Sequence, residues 1–157
     1  MKIIFYAGIV ILAAYALLFA YLSLVSKKDA QPGMLSGKLR PCPGTPNCVC
    51  SEYEGAWHVK PFDFDESPEN AWSRLKAAIT ASGGDIKQIS DNYIWCTYKT
   101  KIFRFTDDVE FRLDPGARRI ELRSASRVGK GDLGDNKNRV EKLRQLFNTM
   151  NKQDGRA

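Results

Sequence analysis

The longest uninterrupted apolar stretch runs from Ile3 to Val25, 23 residues without a charge. As a helix it would reach roughly 35 Å. That exceeds the ~30 Å hydrocarbon core of a bilayer and allows some tilt. Thirteen of its residues are Ile, Leu, Val or Phe, favouring insertion by about 4–8 kcal/mol as an upper figure. Tyr6 and Tyr21 stand near the two ends, where an amphipathic ring suits the headgroup level. The alternative is a cleaved signal peptide, whose apolar region usually spans about 7–15 residues before a small-x-small site. Here Leu24 and Ser26 make a poor cleavage pair. The pattern predicts a transmembrane anchor over residues 1–26.

Beyond it the apolar positions become periodic. Residues 27–40 sustain no period, and Pro32, Gly33 and Gly37 punctuate them as a linker. Pro41, Pro43 and Pro46 make the next eleven residues, to Ser51, a rigid loop that excludes helix and sheet. Ser67 as N-cap, Pro68 at the first position and Glu69 in the first turn open a helix. Its apolar face is Ala71, Trp72, Leu75, Ala78 and Ile79, and Gly83 and Gly84 end it. Strands are expected around Ile86–Ile89, over Tyr93–Lys99 and over Lys101–Thr106.

The clearest signal is a hairpin of 108–113 with 119–126, joined by the turn residues Asp114-Pro115-Gly116-Ala117. Pairing Leu113 with Ile120 brings Arg112 opposite Glu121 and Glu110 opposite Arg123. Such pairs contribute a few tenths to about 1 kcal/mol each, and the agreement of apolar and charged positions supports that register. A final helix runs from about Asn136 to Met150 with Val140, Leu143, Leu146, Phe147 and Met150 as its stripe. The expected fold is α+β: an anchor, then an antiparallel sheet of about four to five strands with two packed helices. The domain occupies 41–151, with a polar tail over 152–157.

Charge narrows the partners. The formal net charge is +6, and the anchor carries only Lys2, so the remainder stays basic and could lie near anionic lipid. The charges are interspersed, with no aromatic-basic stripe, which argues against nucleic acid. Lys2 before the anchor and Lys27 and Lys28 after it leave orientation open.

Three blocks carry a resemblance. They are Pro41-Cys42-Pro43-x-x-Pro46-Asn47-Cys48-Val49, the stretch from Thr100 to Arg112, and Arg123-Ser124-Ala125-Ser126-Arg127-Val128-Gly129 with Asp132-Leu133-Gly134 and Asn136. Over roughly residues 39–150 the chain resembles the domain-of-unknown-function family numbered 1499. Cys50 departs from it, standing where the family commonly has serine. The resemblance implies a bacterial envelope or membrane setting and no known activity.

Several constellations could carry chemistry. A Cys42–Cys48 disulfide would stabilise by about 2 kcal/mol and requires an oxidising compartment; if the loop is oxidised, the domain faces the periplasm or another exoplasmic space. Cys50 could compete as partner, or the thiols could stay reduced. Cys42, Cys48, Cys50 and His58 could also bind a metal, though their spacing is not that of a zinc finger or ribbon. Cys96 reads as a buried strand residue. His58, the one histidine, could serve a thiol nucleophile. Beside it, Trp57 is expected to dock on the core.

Arg104, Asp107, Asp108, Glu110, Arg123, Ser126 and Arg127 form a candidate polar binding face; the competing reading is a structural charge ladder. Arginine partners keep carboxylates ionised, which argues against a proton-sharing pair. The run Gly129–Gly134 before a helix could hold an anion, but Asp132 and Asp135 would repel it and better serve as caps. No cofactor is implied. The expected role is a non-catalytic binding or structural module beside the bilayer, with membrane lipid and an envelope protein as partners. The alternative is an enzyme using Asp108, Glu110 and Arg123 or the cysteine loop.

Overall fold

A computed structural model describes residues 2–27 and 32–154 of the chain. The linker residues 28–31 and the end of the polar tail, 155–157, lie outside the described residues. Helix α1 (Lys2–Val25) is long and apolar enough to cross a membrane, and its apolar residues are exposed nearly all round.

The rest is an α+β fold on one antiparallel sheet. Two short strands, β1 (Met34–Leu35) and β2 (Lys38–Leu39), form a hairpin inside the segment read as a linker. The main sheet follows: β3 (Cys48–Cys50), β4 (Phe62–Asp63), then helix α2 (Pro68–Ala81), β5 (Asp85–Ile89), β6 (Tyr93–Lys99), β7 (Thr106–Asp114) and β8 (Arg119–Ser126). Its order is β3-β8-β7-β6-β5, with β4 also on β8. Six strands replace the four to five expected because β3 and β4, three and two residues long, are too short to show a period. Helix α3 (Asp135–Asp154) closes the fold and runs on beyond Met150 into the expected tail.

Two local expectations are corrected. The proline loop does enter the sheet, because its last proline is Pro46 and β3 starts two residues later with free N–H groups. Lys101–Phe105 is a tight loop, not a strand. Arg104 there has φ 53°, a left-handed conformation that ends extended pairing.

The β7–β8 register is the one the hairpin pattern predicts, with Leu113 opposite Ile120, Arg112 opposite Glu121 and Glu110 opposite Arg123. It sends Val109, Phe111, Leu113, Ile120 and Leu122 to one side, all buried under α2 and α3. Ala71, Trp72, Leu75, Ala78 and Ile79 of α2 and Val140, Leu143 and Phe147 of α3 complete this core. Burying each large side chain there contributes roughly 1.5–3 kcal/mol. Ser67 caps α2 by accepting from Asn70 N–H at 3.3 Å. At the other end Gly84 is required, since a Cβ would stand 2.6 Å from the Tyr98 hydroxyl and 2.7 Å from Ile79.

Candidate functional site

Alternation along β7 and β8 decides what the predicted face contains. Asp108 and Glu110 project away from the helices, together with Arg123 and Arg127. Asp107 and Ser126, paired with each other across β7 and β8, project toward α3. Arg104 stands apart in the exposed β6–β7 loop. The seven residues therefore belong to two sides of the sheet and a loop.

The first side is a buried ion-pair layer. Glu110 is fully buried. Its Oε1 accepts from Tyr93 O–H at 2.8 Å and from Gly33 N–H at 2.7 Å, and its Oε2 accepts from Arg123 at 2.8 Å. Asp108 accepts from Trp95 Nε1 at 2.8 Å and from two nitrogens of Arg127 at 2.7 and 2.8 Å. Arg112 turns to Glu52 and Asp114 rather than to its cross-strand neighbour Glu121, which pairs with Arg119 at 2.7 Å. Burial, reinforced by Glu110, pushes the Tyr93 phenol well above its usual range, so it remains a donor.

Residues 33–42 lie over this layer as a strap. Leu39 is buried against Cys50 and Tyr93, with Cys42 and Trp95 packed alongside. The Leu39 N–H donates to Glu52 at 2.5 Å, and the Leu39 carbonyl accepts from Tyr53 O–H at 3.0 Å. A disulfide between Cys42 and Cys48, with Cα atoms 5.6 Å apart, fastens the strap to β3. That bond takes two of the four residues of the metal reading, and Cys50 is buried with its thiol pushed up by burial. Among the described residues no three His, Cys, Asp or Glu side chains converge as metal ligands.

A second polar cluster joins Asp107 to the start of α3. Arg139 pairs with Asp107 at 2.5 Å and donates to Asn136 at 2.6 Å and Ser124 at 3.1 Å. Asn136 Nδ2 donates to the Asn47 carbonyl, Ser126 Oγ and Asp132 at 2.9, 3.0 and 2.6 Å. Asp132 accepts from the N–H groups of Gly134 and Asn136, so a carboxylate fills the anion position at this helix start. Burial raises the Asp107 carboxyl against the opposing pull of Arg139, and its Oδ1 has no hydrogen-bond partner. Asn136 and Arg139 were not among the expected site residues. Their signal is position: Asn136 begins the stripe that continues through Val140, Leu143 and Phe147, so a polar side chain stands on a buried helix face.

A shallow groove of about 460 Å³ opens beside this cluster, lined by Pro46, Trp57, His58, Leu133 and Lys137 among others. Trp57 is half-buried along the groove, and Val59, two residues on, docks on the core in its place. His58 faces the Tyr53 carbonyl through Nδ1 at 3.2 Å. Cys50 meets this segment through backbone, donating to the Trp57 carbonyl and accepting from Val59 N–H.

The same blocks now have a structural meaning: the proline loop, β7, and the β8-to-α3 turn meet around Asn47, Asp107 and Asn136. A family model described as protein of unknown function, DUF1499, matches residues 38–147. The chain belongs to the DUF1499 family. The match takes in β2, the disulfide, the whole sheet, α2 and α3 as far as Phe147, and leaves α1 outside. Among curated proteins nothing matches the chain. In this DUF1499 domain the charged residues hold one element to another: Arg123 and Arg127 brace β8, Arg112 holds Glu52, and Arg139 holds α3 to β7.

Proposed function

We propose that this DUF1499 protein is a non-catalytic binding or structural module held against a membrane. Its domain lies on the exoplasmic side, in the periplasm of a bacterial inner membrane, where it engages an envelope protein. The observation that carries the reading is the seating of α1 on the domain. Ser26, just past its end, is buried; its Oγ accepts from Thr106 N–H at 3.1 Å and its carbonyl from Arg127 at 3.2 Å. A free linker of about fifteen residues would let the domain roam roughly 50 Å. With the helix end bonded to β7, the domain works at the bilayer surface.

Two further facts support the reading. Asp108, Glu110 and Glu52 are each held by an arginine within a buried layer, so these three carboxylates are not open to substrate. The disulfide suits an oxidising compartment. Alkylation under denaturing conditions, without reductant, of cells first quenched with acid tests the compartment. Two modified cysteines, Cys50 and Cys96, are expected, rising to four after reduction. Four without reductant would overturn the exoplasmic assignment. Mass spectrometry of the same sample should find residues 1–26 retained.

A further inference from the structure

The loop expected to be a strand carries a feature the domain itself does not use. Thr100 and Phe105 close it, with Thr100 N–H on the Phe105 carbonyl and Phe105 N–H on Thr100 Oγ1, both at 2.9 Å. The four residues between them, Lys101-Ile102-Phe103-Arg104, form the tip. Ile102 is 82% exposed and Phe103 41% exposed. Neither reaches the core beneath α2 and α3. Phe103 instead stacks on Phe19 of α1, ring centroids 4.0 Å apart and planes within 9°. Phe105 joins at 6.3 Å from Phe19 and 5.5 Å from Phe103.

We propose that this β6–β7 loop is a membrane wedge: Ile102 and Phe103 enter the bilayer beside α1, and Lys99, Lys101 and Arg104 meet phospholipid headgroups. The proposal rests on reading α1 as a retained anchor. Depth carries it further. Phe19 lies six residues before the end of α1, about 9 Å along the axis. The headgroup zone of one leaflet is only about 5–8 Å thick. An aromatic pair at the Phe19 level therefore sits below the headgroups. The Thr106–Ser26 hydrogen bond fixes this height, because it ties the base of the loop to the helix end.

The local chemistry fits that position. Two hydrogen bonds made within the loop close its base and hold the tip together. Lys99, Lys101 and Arg104 are exposed, and such side chains can lay their methylenes along acyl chains while the charges reach the phosphates. Asp107 and Asp108, the nearest acidic residues in sequence, are turned inward to Arg139 and Arg127 and leave the rim basic.

Nitroxide labels on the full chain in phosphatidylcholine vesicles doped with phosphatidylglycerol test the wedge. Cys42 and Cys48 are bonded, and Cys50 and Cys96 are buried, so each label goes to the introduced thiol. Three variants are compared: Ile102→Cys at the tip, Leu12→Cys in the middle of α1, and Ala117→Cys in the exposed turn at the far end of β7. Oxygen concentrates in hydrocarbon, whereas a polar nickel chelate stays in water. The wedge predicts an oxygen-to-nickel collision ratio at residue 102 several-fold above that at 117 and below that at 12, because the loop tip sits nearer the headgroups than the middle of α1. A water-like ratio at 102 with a lipid-like ratio at 12 overturns the wedge and leaves the anchor standing. A water-like ratio at 12 overturns both. A label at 102 shielded from both reagents would mean a protein contact or a second copy of the chain, and would also overturn the wedge.

Discussion

The two faces of the sheet are both buried, by opposite means. Under α2 and α3, Val109, Phe111, Leu113, Ile120 and Leu122 exclude water with hydrocarbon, and the Asp107–Arg139 cluster is confined to one end. On the other side Asp108, Glu110, Arg112, Glu121 and Arg123 occupy the same strands at alternate positions, and a strap fastened by a disulfide covers them. The first face gains by removing apolar area from water, at roughly 25 cal/mol per Å². The second gains little net free energy from its charges, because desolvation offsets much of their attraction. Its contribution is conditional: paired, the charges fix the strap in one place; unpaired, each would be a buried charge without compensation. An alternating strand thus need not mean a solvated face.

The largest effects should come from cutting either face at its centre. Phe111→Ala should lose about 3–5 kcal/mol through a cavity in the helix face. Glu110→Ala should lose a similar 3–5 kcal/mol for a different reason, since the Arg123 guanidinium is left without its partner. Thermal or denaturant unfolding of the full chain in detergent measures both. A near-neutral Glu110→Ala would mean that the strap side is more open than its burial implies.

A smaller effect isolates the strap. Replacing Cys42 and Cys48 together by serine should cost about 2 kcal/mol, as expected for a short closed loop. It should also speed amide exchange at Gly33 and Leu39, which donate to Glu110 and Glu52, while Phe111 and Leu122 exchange as before. Uniformly faster exchange would show that the two faces do not open separately.

The smallest effects appear as pH slopes of opposite sign. Burial raises the Asp107 carboxyl in the folded protein. Its contribution is therefore present below the unfolded pKa and lost as pH rises through the folded value. Asp114 is the reverse: the Ala117 N–H and then Arg112 lower its carboxyl, so its contribution is present above the unfolded pKa and lost as pH falls through the folded value. Asp107→Asn, which keeps an acceptor for Arg139, should flatten the first slope, and Asp114→Asn the second. Melting temperatures through the carboxylate range check the signs.

What could be read from the sequence was local. The β7–β8 register was legible because one alignment satisfies the apolar and charged positions together. Helix α2 was legible from Ser67, Pro68 and its stripe. The strap was not, because its bonds join Gly33 to Glu110, 77 residues away, and Leu39 to Glu52, with no periodic signal between them. The candidate polar face was over-collected for a related reason: Asp107 and Ser126 are adjacent in sequence to residues of the other side, and the pleat separates them. The loop at 101–105 resembled a strand because its aromatics pack on α1 and not on the sheet core, a partner no local pattern specifies.

The central claim is that the charged face is a buried scaffold rather than an open site. Arg123→Met tests it most directly when paired with Arg123→Met, Glu110→Gln. The single change strands the Glu110 carboxylate in the interior, and the account predicts a loss of about 3–5 kcal/mol. Adding Glu110→Gln removes that charge while leaving an amide oxygen for Tyr93 and Gly33, so the melting temperature should recover most of the way. An Arg123→Met protein that melts like the parent would contradict the account.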